Sequence, residues 1–124
     1  MGELEPITLI LTSVGTETQA VDISEELVHR GLATCVNIVP CLRSIYRWKG
    51  KVCADSEYLL VIKTRSALFL QVAEAIRELH SYELPEIVEV PVGRAEPNFH
   101  RWVVEMATGN YVPQDAVEDL PQYD

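Results

Sequence analysis

Leu42-Arg43-Ser44-Ile45-Tyr46-Arg47-Trp48-Lys49-Gly50-Lys51 is the stretch whose reading decides the fold. Leu42, Ser44, Tyr46 and Trp48 alternate with Arg43, Ile45, Arg47 and Lys49, the period of two that places one set on each face of a half-exposed strand. Lys49-Gly50-Lys51 reads as a hairpin turn, and the chain returns through 58–64, whose centre Leu59-Leu60-Val61-Ile62 is wholly apolar. Residues 33–39, upstream of Pro40, are also apolar and β-prone. The pair therefore exceeds the usual strand length of about 5–6 residues. Two helices of so small a chain cannot cover it, and its outer ends need a neighbour or stay wet.

Outward from the hairpin the elements alternate. Ile7-Thr8-Leu9-Ile10-Leu11 is a short apolar run that predicts a buried strand. Thr16-x-x-Gln19 has the spacing of a capping box; Ala20, Ile23, Leu27 and Val28 recur at helical intervals, and Gly31 supplies the stop. A second amphipathic helix starts at Ser66, with Phe69, Val72, Ala73, Ile76 and Leu79 on one stripe. His80-Ser81-Tyr82-Glu83-Leu84-Pro85-Glu86 breaks it, because the residue before a proline is pushed out of helical geometry. Residues 87–92 form a fourth strand, with Pro91 at an edge or end. Glu96-Pro97-Asn98 opens a third helix, with Phe99, Trp102, Val103 and Met106 inward. The order is βαββαβ plus a C-terminal helix, a ferredoxin-like α/β (α+β) sandwich with both crossover helices on one face. Residues 1–109 make the single domain, and 110–124 an acidic tail that docks loosely or stays disordered.

A chain of 124 residues holds one domain, and its 19 acidic against 10 basic residues give a net charge of −9. That field repels phosphate backbones and anionic membranes and attracts cations, so nucleic acid is excluded as a partner. No apolar run reaches the roughly 20 residues of a membrane span. The acidic first residues lack the pattern of a signal peptide. Cys35, Cys41 and Cys53 form an odd set without CxxC spacing, which predicts a reducing, cytoplasmic compartment.

The architecture hosts many activities, so function rests on sites. No basic-Gly-aromatic run marks RNA binding, and no nucleophile–histidine–carboxylate pattern marks catalysis; the expectation is a binding protein, not an enzyme. Cys35 lies in a β-prone run, where cysteine packs as a small hydrophobe. The 80–86 turn gathers a histidine, a tyrosine and two carboxylates. An imidazole and a carboxylate suit Cu(II) or Zn(II), although two ligands do not close a tetrahedral site. Alternatively, His80 ends its helix as a cation near the negative end of the dipole. Tyr46, Trp48 and Tyr58 belong to core or interface, and an interface would remove sheet edges by pairing between chains.

Three segments together resemble the divalent-cation-tolerance (CutA) family: Leu32-Ala33-Thr34-Cys35-Val36-Asn37-Ile38-Val39-Pro40, the Ser44–Lys51 hairpin with Glu57 and Lys63-Thr64, and the loop from His80 to Ile87. The resemblance implies a stable homotrimer of ferredoxin-like protomers joined through long strands, an association with divalent cations and copper in particular, and an architecture like that of PII signalling proteins. It implies Cu2+ ligands at His80 and Glu86; Cys35 is a more remote third candidate, with water or a neighbouring subunit completing the shell. Thr12 stands where some relatives carry a first-strand cysteine, and Ser81 replaces a loop proline, which would loosen the turn. The alternative it implies is a PII-like regulatory trimer holding a small effector between subunits, near Tyr46, Trp48, Lys63, Tyr82 and Glu86.

Overall fold

The computed structural model describes residues 4–112. The strands are β1 (Ile7–Val14), β2 (Cys35–Trp48), β3 (Lys51–Arg65) and β4 (Val88–Pro91); the helices are α1 (Glu17–His29), α2 (Phe69–Leu79) and α3 (Pro97–Met106). The sheet order is β2-β3-β1-β4, with every neighbouring pair antiparallel. The ferredoxin-like expectation is met, including Pro91 on an edge strand.

Alternation along the strands sorts the sheet into two faces. Ile10, Val14, Leu60 and Ile62 pack into one core with Ala20, Ile23 and Leu27 of α1 and Val72 and Ile76 of α2. Leu9, Leu11, Leu59 and Val61 point the other way and remain half-buried, beside exposed Val88 and Val90. α3 covers only the end of the sheet where β1 begins. There the Thr34 hydroxyl donates to the Val103 carbonyl at 2.6 Å, and Arg65 Nε donates to the Ala107 carbonyl at 2.6 Å. This corrects the reading of α3 as a four-residue inward stripe: Val103 is buried, whereas Phe99, Trp102 and Met106 are exposed.

Pro40 does not end the first hairpin strand. Val39 pairs with Leu59 and Leu42 with Glu57, so Pro40 and Cys41 together oppose Tyr58 in a β-bulge, with Cys41 at φ 64°. A bulge bends its strand and sharpens the twist. The outer hairpin thus leaves the plane of the sheet. Lys49 and Gly50 close it with φ of 50° and 79°, the signs that a two-residue primed turn requires.

α1 begins as predicted, with the Thr16 hydroxyl accepting the Gln19 N–H at 3.1 Å. The reciprocal arm of the capping box is not made. Gln19 instead accepts from the Ser81 hydroxyl at 2.9 Å, tying α1 to the turn after α2. At the far end of α1, Gly31 adopts φ +69°, and a Cβ there would clash with the backbone of Asn110. The Gly109 N–H donates to the Gly31 carbonyl at 2.8 Å. The chain is therefore docked as far as Val112, and the rest of the expected tail, 113–124, lies outside the described residues.

Candidate functional site

The outer hairpin and the 80–86 turn enclose an open cleft of about 740 Å³. Ser44 pairs with Asp55 and Tyr46 with Cys53, so the ladder itself brings one strand's aromatics beside the other's carboxylates. Tyr46, Trp48 and Tyr82 wall the space, with Ile45 and Leu84 adding apolar surface. Asp55, Glu57, Glu83 and Glu86 supply four carboxylates, and no lysine, arginine or histidine lines the cleft among the described residues.

Two phenols hold two of these carboxylates. Tyr46 donates to Asp55, and Tyr82 donates to Glu57 at 2.7 Å. The hydrogen bond to Asp55 pushes the Tyr46 phenol up to about 12, with desolvation secondary. For Tyr82, burial is the larger cause and the bond to Glu57 the second, and both raise its phenol. A phenol held more tightly in the fold than in the unfolded chain stabilises below its ordinary pKa of about 10. That contribution fades as pH climbs through the folded value. In an absorbance titration of the native protein, Tyr46 and Tyr82 are expected to ionise last, and Asp55→Asn should bring Tyr46 back toward the others. Uniform ionisation of the tyrosines near pH 10 would contradict these contacts.

Glu57 is the unusual member. It is 6% exposed, and the three ion pairs among the described residues, Arg30 with Glu26, Arg30 with Glu78 and Arg65 with Glu5, leave it out. Burying a carboxylate is costly unless it is paired and hydrogen-bonded. Tyr82 provides one hydrogen bond, and no cation of the described chain neutralises the charge.

His80 stands behind this wall at 8% exposure. Its Nε2 donates to the Ser13 carbonyl at 2.7 Å, and its Nδ1 accepts the Tyr82 N–H at 3.0 Å. An Nδ1 that accepts carries no proton, so the ring is neutral here, and the helix-ending cation expected from the sequence is corrected. Its ring lies 4.6 Å from that of Tyr82. Tyr82 in turn rests on Gly15, where a Cβ would stand 3.1 Å from the phenol oxygen. Ser81, expected to loosen the turn, is anchored to Gln19.

Of the residues singled out from the sequence, Tyr46, Trp48, Tyr82 and Glu86 meet in the cleft. Lys63 does not join them: it pairs with Leu9 and Cys35, and its Nζ sits 5.6 Å over the Phe99 ring. Cys35 is half-buried rather than a core residue, on the Lys63 rung, whereas Ser13 beside His80 pairs with Leu59. Four rungs at about 3.3 Å each separate the two levels. Thr12 belongs to the buried, helix-facing set of β1, its hydroxyl without a hydrogen-bond partner among the described residues, while Ser13 lines the cleft. No three His, Cys, Asp or Glu side chains among the described residues are placed to hold a metal ion together. Sequence reasoning missed Asp55 and the role of Glu57. Their signal was the continuing alternation Cys53, Asp55, Glu57 along the return strand.

The fold and its acid-lined cleft define a small ferredoxin-like α+β domain. Residues 8–106 match the profile of the CutA1 divalent ion tolerance protein family, and the chain belongs to that family. It is 43% identical over 98 residues to a CutA homolog of Xenopus laevis, covering 79% of this chain and 62% of that protein. It is 42% identical over 97 residues to the divalent-cation tolerance protein CutA of Thermus thermophilus, covering 78% and 94%. The solved Thermus thermophilus Cut A1 superposes with a TM-score of 0.78 at 41% identity, over 80% of this chain and 96% of that one. CutA1 of Oryza sativa gives 0.81 at 31%, over 83% and 94%. The match thus spans less than two thirds of the frog protein but nearly all of the bacterial one. No helix among the described residues is long and apolar enough to cross a membrane.

Proposed function

We propose that this chain serves divalent-cation tolerance by binding cations in the hairpin cleft, as a homotrimer in a reducing, cytoplasmic compartment. The observation that carries the cation reading is Glu57, a buried carboxylate in a cleft of four acids with no counter-charge from the described chain. The cleft carboxylates are hard oxygen donors, and since no three of them converge among the described residues, they suit a divalent ion that keeps most of its water shell. A copper chelate of the kind read from the sequence needs an imidazole nitrogen, and both nitrogens of His80 are engaged within the chain. Trimerisation is supported by the uncovered apolar sheet face and by the open edge of β2, whose unpaired backbone groups can extend into another chain.

Calorimetric titration of the chelator-stripped protein with Zn(II), Cu(II) and Mg(II) tests the cation reading. Saturable binding, weakened about tenfold or more by Glu57→Gln or Glu86→Ala, is the expected result, since a lost charge-assisted contact is worth about 1.5–3 kcal/mol. Weak heats indifferent to both substitutions would overturn it. The second reading, a PII-like trimer that binds a small effector, is favoured by the volume of the cleft and its three aromatic walls.

A further inference from the structure

We infer that the effector taken by this cleft is a small organic cation: an ammonium head on an apolar body. The inference rests on the second reading above, that the cleft holds a small molecule, and it fixes the chemical class.

Charge sign decides first. Nucleotides and carboxylic acids need lysine, arginine or a cluster of backbone N–H groups to hold them. The cleft offers four carboxylates and no cationic side chain among the described residues, so an anionic effector meets repulsion. At the hairpin tip Lys49 holds its Nζ 5.8 Å over the Trp48 ring, and neither it nor Lys51, which pairs with Trp48, lines the cleft. That contact also shows the Trp48 ring serving as a cation–π surface.

Shape and donor type decide next. A metal ion would leave most of about 740 Å³ unused, and the described side chains assemble no three-ligand set around one. Organic cations are recognised differently, by ring faces that attract the charge and by carboxylates that neutralise it. Tyr46, Trp48 and Tyr82 supply the faces, and Glu57 supplies a buried charge. Tyr46 and Tyr82 donate their hydroxyl protons to Asp55 and Glu57 and so fix the carboxylates in place. An ammonium can then donate to carboxylate oxygens already held in position, while its carbon body lies on Trp48 and Leu84.

The test uses benzylammonium, near-isosteric neutral benzyl alcohol and ATP, each titrated calorimetrically into the chelator-stripped full chain, with the Trp48 indole N–H followed by NMR. Benzylammonium is expected to bind saturably and shift the Trp48 resonance. Benzyl alcohol should bind at least about tenfold more weakly, and ATP should leave Trp48 unmoved. Glu57→Gln should weaken benzylammonium about tenfold or more. Trp48→Leu, at an exposed position that carries little of the fold, should do the same with an unchanged melting midpoint. Equal binding of amine and alcohol, binding of ATP at Trp48, or indifference to both substitutions would overturn the inference. Zinc binding that depends on Glu57, with no ammonium binding, would sink this inference and leave the divalent-cation reading standing. Binding of ATP alone would leave the effector reading standing with the class of ligand wrong, and failure of every ligand would remove all three.

Discussion

Ile10→Ala is expected to lower the unfolding free energy by about 2–5 kcal/mol, the range for emptying a core site of this size. Ile10 is fully buried in β1, one of the two inner strands, pairs with Ile62 and Glu89, and packs with the helix-facing set against α1 and α2. Little around it can collapse into the space, since its neighbours belong to β-ladders on both sides. Leu11→Ala, one residue along, should behave differently, because Leu11 points to the uncovered face beside Val88 and Leu9. Its loss should fall on association: if the proposed trimer forms through this face, light scattering should show its mass shifting toward one chain on dilution, with a denaturation midpoint that depends on protein concentration. Urea unfolding of both variants at two concentrations separates the effects. If Leu11→Ala loses stability independently of concentration, that face is not where copies meet.

The adjacency of these two residues also marks what a sequence can and cannot disclose. Period-two alternation and helical spacing belong to the local chain, so the element order, the Thr16 cap, the Lys49-Gly50 turn and the edge position of Pro91 were all legible. The bulge was not, because nothing local shows that Pro40 and Cys41 share one partner until the register on both sides of them is known. The inward stripe assigned to α3 failed for a related reason. Periodicity shows that one face is apolar, but α3 lies on one end of the sheet, which shields Val103 and leaves Phe99 and Trp102 outside. The site was half legible. Its aromatics and the 80–86 turn announced themselves by composition, whereas Glu57 and Asp55 acquire meaning only from strand pairing and from Tyr82, 25 residues downstream of Glu57. The diversion of Gln19 from its capping box to Ser81 is likewise a tertiary competition that no local spacing encodes.

His80→Ala is expected to destabilise the chain by about 2–6 kcal/mol, because it strands two backbone groups that cost about 1–3 kcal/mol each when left unpaired. Those groups are the Ser13 carbonyl and the Tyr82 N–H, which the imidazole bonds from its opposite nitrogens. The ring also backs Tyr82 against Gly15, so its removal should free the phenol from Glu57 and open the rear wall of the cleft. His80→Gln, which keeps an amide donor for the Ser13 carbonyl, should recover part of the stability. A metal ligand would behave in the opposite way. An imidazole kept for an ion would leave stability of the chelator-stripped protein within about 0.5 kcal/mol on truncation, as surface substitutions commonly do, and abolish metal binding outright. Urea unfolding of the stripped variants, followed by a zinc titration at a denaturant-free temperature where each remains folded, distinguishes the two roles. A stability loss with residual, Glu57-dependent binding identifies His80 as the residue that positions the wall, and unchanged stability with no binding would return it to the metal.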